Sequence, residues 1–577
     1  MAAGYYTTST AFLEALAEAG VSYIFANLGS DHPGIIEALA QARAEGREDS
    51  LPRLIVCPHE TVALSAAHVY ASVTRQPQAV IVHVDSGTQN LGGAMNNAMR
   101  GRIPVLVFAG TSPYTIEGEL PAGRNEFIHW IQDARDQRGI VRGYVKYDNE
   151  IRTGRNVKQL VHRALQIARS EPAGPVYLIG PREVMEEPLE PHATDAAKYP
   201  PISPAALADE VAGEIATALA GARRPLIITS YLGRNPDAVA ALVELADLLA
   251  VGVLESVPSH MNFPADHPLH RGYQFTTTEQ NPVLAEADVI LVVDSDVPWI
   301  HATSRPSPGA VIYDIDIDPL KPEMSMWHIA ARRFAAADSR VALGQIARLV
   351  RQKKIDTAAV EARRAELAAA SRFRWEALQA LEAPEPDAIT PQYLTACVRE
   401  LLDGTDALVL TEAITNYQVV ADHLRATKPG SLLGSGGGSL GWAGGGAVGA
   451  SLAIYPERTV VALVGDGSYL FGVPSSAQWV ARRYDAPALT IIFDNRGWGA
   501  PKFSTLAVHP KGAAAQADDF NVSFEPEVDL PGVARAAGGA YAVTVSDPGE
   551  LPGVLKDALA VVGGGRSAVI SVQLPSV

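Results

Sequence analysis

A chain of 577 residues, 47% hydrophobic and 19% charged, is long enough for several cored domains, and its length points to three or four. Its formal net charge of −17 argues against a nucleic-acid or anionic-membrane surface, because neither polyanion is attracted to a negative protein. Cys57 and Cys397 lie far apart and in no metal-ligand spacing, so they read as two buried thiols rather than a disulfide or zinc site, and the cytoplasm is the expected home.

Along the chain, Met1 to Gly20 carries acidic residues in an amphipathic helical pattern and lacks a continuous apolar core, so it reads as neither a signal peptide nor a membrane span. No run elsewhere reaches spanning length. Strand-like runs at 23–26, 54–57, 79–84, 104–108 and 175–179 alternate with helical segments, as in a parallel sheet. Residues 183–204, rich in proline and charge, read as an exposed linker. A second block has strands near 226–229, 289–294 and 311–316, then a charged helical stretch over 336–381; a break follows at Ala383-Pro384-Glu385-Pro386. The third block holds apolar strands at 459–464, 488–493 and 567–572, with one helix expected over 469–483. The expected fold class is α/β, with three doubly wound parallel-sheet domains over 1–190, 191–375 and 376–577.

The most informative residues close the strands of the third block. Residues 459–464 run into Gly465-Asp466-Gly467-Ser468, placing a carboxylate and free backbone N–H groups at a helix start, where a diphosphate and its magnesium can sit. Residues 488–493 run into Asp494-Asn495, whose amide offers a second hard oxygen to the same ion. Both ends lie at the carboxyl edge of one parallel sheet, where open α/β sheets bind ligands. At this spacing the chain resembles the thiamine diphosphate (ThDP) enzyme superfamily. The family usually has Asn-Asn where this chain has Asp494-Asn495; the second position, the metal ligand in the family, is intact.

The resemblance implies a pyrimidine-binding first domain, a central domain and a diphosphate-binding third domain. It implies a metal set of Asp466, Asn495 and Gly497, and cofactor contacts from Gly465, Gly467, Ser468, Thr415 and Asn416. The stretch 434–449, GSGGGSLGWAGGGAVG, is uncharged and carries Leu440, Trp442 and Val448, so it reads as glycines admitting close backbone approach to a ligand rather than as a linker. Leu440 stands where the family props its cofactor into a V shape, and the Gly438 carbonyl where it accepts from the aminopyrimidine. Glu60, in Cys57-Pro58-His59-Glu60, matches the family's catalytic glutamate, which holds the pyrimidine ring nitrogen and exchanges a proton with it.

Among branches of the superfamily, the benzoylformate decarboxylases are similar in Phe25-Ala26-Asn27-Leu28-Gly29-Ser30, where the serine would touch a substrate carboxylate. His83 falls at an active-site histidine of that branch, and His301 lies one residue from a second, a pair that would relay protons. Trp498, Pro501, Lys502 and Phe503 are expected at the mouth of the site. The implied activity is non-oxidative decarboxylation of a 2-oxo acid, with ThDP and magnesium, in a homodimer or homotetramer whose active sites lie at the subunit interface. The rival is an acetolactate synthase type of carboligase, for which residues 132–146 would be a substrate-side loop beginning at Gln132. No flavin signature stands in the middle domain, which disfavours FAD without excluding it. A 2-hydroxyacyl-CoA lyase would want a basic patch, for which Arg332-Arg333 or Lys353-Lys354 are candidates, although such pairs usually lie on solvated helix faces. Ala109-Gly110-Thr111-Ser112 stands where pyruvate decarboxylases carry adjacent histidines. Retention of Glu60, Asp466 and Asn495 together argues against a paralogue that binds cofactor without chemistry.

Overall fold

Short apolar runs separated by helices build three parallel sheets in succession. The computed structural model describes residues 6–576. The first sheet holds β1 (Tyr23–Ala26), β2 (Arg53–Val56), β3 (Gln78–Val82), β4 (Val105–Thr111), β5 (Tyr147–Glu150) and β6 (Val176–Pro181), in spatial order β2-β1-β3-β4-β6-β5. The second holds β7 (Pro225–Thr229), β8 (Gly252–Ser256), β9 (His270–Gln274), β10 (Val289–Val293), β11 (Val311–Asp316) and β12 (Arg333–Ala336), in order β12-β11-β10-β7-β8-β9. The third holds β13 (Ala407–Glu412), β14 (Leu432–Leu433), β15 (Thr459–Gly465), β16 (Leu489–Asp494), β17 (Tyr541–Val545) and β18 (Ala568–Gln573), in order β14-β13-β15-β16-β18-β17.

First and third sheets therefore share one topology, and the central sheet has the 3-2-1-4-5-6 order of dinucleotide-binding folds. In the first sheet the order reverses between β1 and β3, and in the third between β13 and β15. A crevice opens at each such switch point beyond the carboxyl ends of the strands, and the residues singled out above follow those ends.

Because both faces of each sheet are covered, the strands read as unbroken apolar runs, yet the faces still alternate. Val105 and Val107 pack with Phe25, Val80 and Val82 on one face of the first sheet. Leu106 and Phe108 pack with Ile24, Ala79 and Ile81 on the other, under helices Thr8–Glu18 and Val157–Arg169. Thr7 starts the first of these helices with a capping box, and residues 1–5 of the N-terminal reading lie outside the described residues. Among the described residues no helix is long and apolar enough to cross a membrane.

Four expectations change. Residues 469–483 form two helices, Asp466–Phe471 and Pro474–Arg483, because Val473 adopts a φ of 50° immediately before Pro474. The linker expected from residue 183 begins later: Arg182–Met185 is a buried helical turn, and Glu183 accepts from the backbone N–H groups of Tyr114 and Thr115 at 2.9 Å each. The helical stretch expected from residue 336 starts after the edge strand β12, as helices Ser339–Arg351 and Thr357–Ala380, the second carrying the chain past residues 375–376. Glycines of 434–449 largely admit protein rather than ligand. Helix Trp442–Ile454 lies on helix Glu60–Thr74 so closely that a Cβ at Gly449 would stand 2.0 Å from the Ala66 carbonyl oxygen, and one at Gly445 would stand 2.7 Å from that of Val62.

A methyl group at Gly449 has only backbone to displace. Gly449→Ala should cost roughly 3 kcal/mol, at the upper end of overpacking penalties, and lower the thermal unfolding midpoint, whereas Gly444→Ala, whose Cβ would meet nothing closer than 3.5 Å, should not. Equal melting of the two variants in calorimetry would contradict this packing.

Candidate active site

Glu60 is the first residue of helix Glu60–Thr74, and His59 before it accepts from the Thr61 N–H through Nδ1 at 3.2 Å. The helix start turns the Glu60 side chain into the first sheet's crevice, where it is 5% exposed. Two amides hold it there: Asn27, just past β1, donates from Nδ2 to Oε1 at 2.8 Å, and Asn90, at the end of helix Val84–Asn90, donates from Nδ2 to Oε2 at 3.0 Å.

His83 follows β3 and precedes helix Val84–Asn90. Its Nδ1 lies 2.5 Å from Asp31 Oδ1 and its Nε2 3.1 Å from Gln132 Oε1. Ser30, half-buried, precedes Asp31 in the loop after β1, so the structure brings the Ser30 loop and His83 together. His301 belongs elsewhere: it is exposed on the central unit, stacked on His328 with centroids 4.7 Å apart and hydrogen-bonded to the His328 carbonyl.

In the third unit, Asp466 opens the turn after β15 and is 3% exposed. Its Oδ1 accepts from the Gly467 N–H at 2.7 Å and its Oδ2 from the Gly497 N–H at 3.0 Å, tying the loops after β15 and β16 together. Burial pushes its pKa up to about 6 despite those N–H groups. One end of the Asn495 amide stands 3.3 Å from Asp466 Oδ2 and 2.9 Å from the Gly497 carbonyl oxygen. With nitrogen there, the amide bridges the two oxygens; with oxygen there, three oxygens converge, an arrangement that needs a cation. Gly465 and Ser468 flank Asp466 in the same turn. A Cβ at Gly467 would lie 2.3 Å from the Trp498 ring, which rests edge-on against Phe524. Thr415 and Asn416 form a short helical turn after β13, with Thr415 Cγ2 against Gly499. Pro501 and Phe503 lie on the neighbouring helix Gly499–Val508, Phe503 exposed, and Lys502 pairs with Asp518 at 3.0 Å.

Leu440 is half-buried and immediately precedes Gly441, whose φ of 84° turns the chain into helix Trp442–Ile454. Gly438 is exposed, with nothing within 4 Å of where a Cβ would stand. Behind them, Glu412 at the end of β13 accepts from the N–H groups of Gly441, Trp442 and Ala443 at 2.5, 3.3 and 2.7 Å. Burial raises its pKa to about 7 against those three bonds. Glu60 is held from the first unit and Asp466 from the third, with no hydrogen bond linking the two sets among the described residues.

Three family models match in chain order: the thiamine pyrophosphate enzyme N-terminal TPP binding domain over residues 6–140, its central domain over 212–332, and its C-terminal TPP binding domain over 413–572. The chain belongs to the thiamine pyrophosphate enzyme family. It is an enzyme similar to benzoylformate decarboxylase of Pseudomonas aeruginosa, with 27% identity over 96% of this chain and 97% of that one. Acetolactate synthase of Bacillus subtilis is 23% identical over 95% of this chain and 90% of its own. The solved 4-hydroxybenzoylformate decarboxylase of Rhodococcus jostii RHA1 shares the fold, with a TM-score of 0.77 at 23% identity over 99% of this chain and 100% of that one.

Asn27, Asn90, Asp31 and Glu412 escaped the sequence reading, since each acts on a residue brought near only by the sheet. Asn27 and Asp31 do flank Ser30 in the loop already singled out. Arg332 and Arg333 are not a free basic patch: both pair with Glu214, at 2.5 and 2.9 Å. Lys353 donates to Thr217 at 2.8 Å. At the central switch point, a cavity of about 340 Å³ is bordered by Arg102, paired to Asp296 at 2.9 Å.

Glu412→Ala would leave three buried N–H groups without an acceptor at the start of helix Trp442–Ile454. It should cost about 2–4 kcal/mol, and Glu412→Gln much less, in urea unfolding of the purified protein. Equal losses for the two variants would mean that the cap contributes little.

Proposed function

We propose that this chain is a ThDP- and magnesium-dependent carbon–carbon lyase, a non-oxidative 2-oxo acid decarboxylase of the benzoylformate decarboxylase kind, working in the cytoplasm. The observation that carries the reading is the pairing of a buried, amide-held Glu60 with a carboxylate-held His83 at one sheet edge. The third unit offers a matching cation cradle of Asp466, Asn495 and the Gly497 carbonyl. These are hard oxygen donors with only one carboxylate among them, the set that suits magnesium bound through a phosphate.

When bound, ThDP supplies the nucleophilic carbon and the electron sink for loss of carbon dioxide. The chain supplies the rest. Asp466, Asn495 and the Gly497 carbonyl would hold the metal, and N–H groups of the Gly465–Ser468 turn and the Thr415–Asn416 loop would bind the diphosphate. Leu440 and the Gly438 carbonyl would orient the pyrimidine. Glu60 would be the acid–base group on the pyrimidine side, its carboxyl oriented by Asn27 and Asn90. Ser30 binds the substrate carboxylate, and His83 moves a proton at Nε2 once carbon dioxide has left. His301, packed against His328 on the central unit, lies outside this arrangement.

In the family to which the chain belongs, the positions of Glu60 and Asp466 meet across a subunit boundary, and we expect the same here. A homodimer or homotetramer is expected, and light scattering with cofactor present should give at least the dimer mass; a monomer would contradict this site.

One observation favours a second reading. Gln132, the residue expected to open a carboligase loop, touches His83 directly. A carbonyl acceptor bound there in place of a proton would yield an acyloin, as in acetolactate synthase-type transferases.

A proton NMR product assay with ThDP, magnesium and 2-oxo acids from pyruvate to benzoylformate tests the proposal. Aldehyde as sole product supports decarboxylation; acetolactate or another acyloin moves the assignment to carboligation. Glu60→Ala should lower turnover by about 10²–10⁴-fold while calorimetric ThDP affinity changes little, because the diphosphate and metal are held by the other unit. Undiminished turnover would overturn the mechanism.

A further inference from the structure

His83 is held by a carboxylate rather than by backbone. Asp31, 3% exposed, lies in the loop between β1 and helix Pro33–Ala44. Its Oδ1 stands 2.5 Å from His83 Nδ1 and 3.0 Å from His32 Nδ1, and its Oδ2 accepts from the Val84 N–H at 3.1 Å. The loop presses on the imidazole: a Cβ at Gly29 would lie 2.0 Å from His83 Nδ1, so only glycine lets the chain pass there. On the other side of the ring, Gln132 Oε1 faces Nε2 at 3.1 Å, while Gln132 Nε2 donates to Ser86 Oγ at 3.0 Å and the Gln132 carbonyl accepts from Ser112 Oγ at 2.9 Å.

We propose that Asp31 is the positioning residue of His83, fixing one proton on Nδ1 so that Nε2 alone exchanges a proton at the site. The substrate role of that proton rests on the decarboxylase reading above, but the Asp31–His83 dyad does not.

A buried carboxylate against one ring nitrogen fixes both the tautomer and the ring plane, as carboxylates do for histidines in other proton-transfer sites. Both ring nitrogens face acceptors, so the imidazolium is the form that fills both hydrogen bonds. Titratable groups around the ring are Asp31 and His32 on the loop after β1, Asp85 on the following helix, Glu60 beyond Gly87, and the Tyr177 phenol on β6, which bonds Thr88. The hydrogen bond to Asp31 raises His83 above the ordinary histidine range, against burial. Burial lowers His32, against the pull of the Asp31 carboxylate. Burial opposes charge on Asp31, yet His32, His83 and the Val84 N–H hold its carboxyl below the usual range.

The sign follows. With its pKa raised, His83 stays protonated to higher pH, and any step that needs the imidazolium fades as pH rises through that value. Asp31→Asn removes the charge, so the transition moves to lower pH by about one unit or more.

Carbethoxylation by diethyl pyrocarbonate reads this without turnover, since only neutral imidazole reacts. The rate at His83, located by peptide mass spectrometry in the ThDP- and magnesium-loaded enzyme, should rise with a midpoint above 6.5 in the wild type. The midpoint should fall by about one pH unit or more in Asp31→Asn and return towards wild type in Asp31→Glu. The basic limb of kcat/KM should move with it. An unchanged midpoint in Asp31→Asn overturns the dyad. If that variant does not fold, the wild-type midpoint decides, a value at or below 6.5 overturning the proposal and a higher one supporting it. A shifted midpoint in an enzyme that makes no aldehyde keeps the dyad and removes the decarboxylase reading.

Discussion

Backbone contact between helices Glu60–Thr74 and Trp442–Ile454 is the constraint from which the rest of the arrangement follows. Each helix begins at the carboxyl edge of its own sheet, one with Glu60 and the other just after Leu440. Side chains would hold the two helix axes about 8–10 Å apart; at Gly445 and Gly449 the missing side chains allow a closer approach. The same contact locks the start of one helix relative to the other, so the position of Leu440 is set by packing on the first unit as well as by its own strand. Glu412 completes this by capping the second helix from beneath.

Buried carboxyls recur at these edges, each held differently. Glu60 accepts from two neutral amides, Glu412 from three backbone N–H groups, Asp466 from two, and Asp31 from the His83 imidazole and one N–H. An imidazolium partner keeps a carboxyl ionised, and Asp31 is held below the usual carboxylate range in that way. Asp466 has another environment, tied by the Gly467 and Gly497 N–H groups and with its Oδ2 3.3 Å from one end of the Asn495 amide.

Central strands such as β1 and β11 were legible in the sequence because burial on both faces makes them continuous apolar runs, and they fall at the expected residues, whereas β8 and β13, equally central, were not singled out. Of the edge strands β2 was legible, and others were not. β5 reads Tyr-Asp-Asn-Glu, β9 His-Arg-Gly-Tyr-Gln, and β14 is two residues long, since an edge needs no apolar outer face. Residues such as Glu60, Asp466 and Asn495 could be singled out because polar groups that follow an apolar strand stand out in the sequence. Their supports were not, because Asn27, Asn90 and Asp31 act on partners far along the chain that only the β1-β3 neighbourhood brings close. His301 shows the reverse limit: sequence proximity to a family position does not place it beside His83 when its unit packs it against His328.

The repeated topology explains why one chain carries two half-sites. Sheets with the same strand order open their crevices at the same relative place, one between β1 and β3 and the other between β13 and β15. The first crevice carries Glu60, Asp31 and His83, and the third carries Asp466, Asn495 and the Gly497 carbonyl, so the two edges present different chemistry from the same topology. Within one chain the glycine-mediated contact sets the helices that begin at these two edges directly against each other, so the packing of one edge bears on the placement of the other.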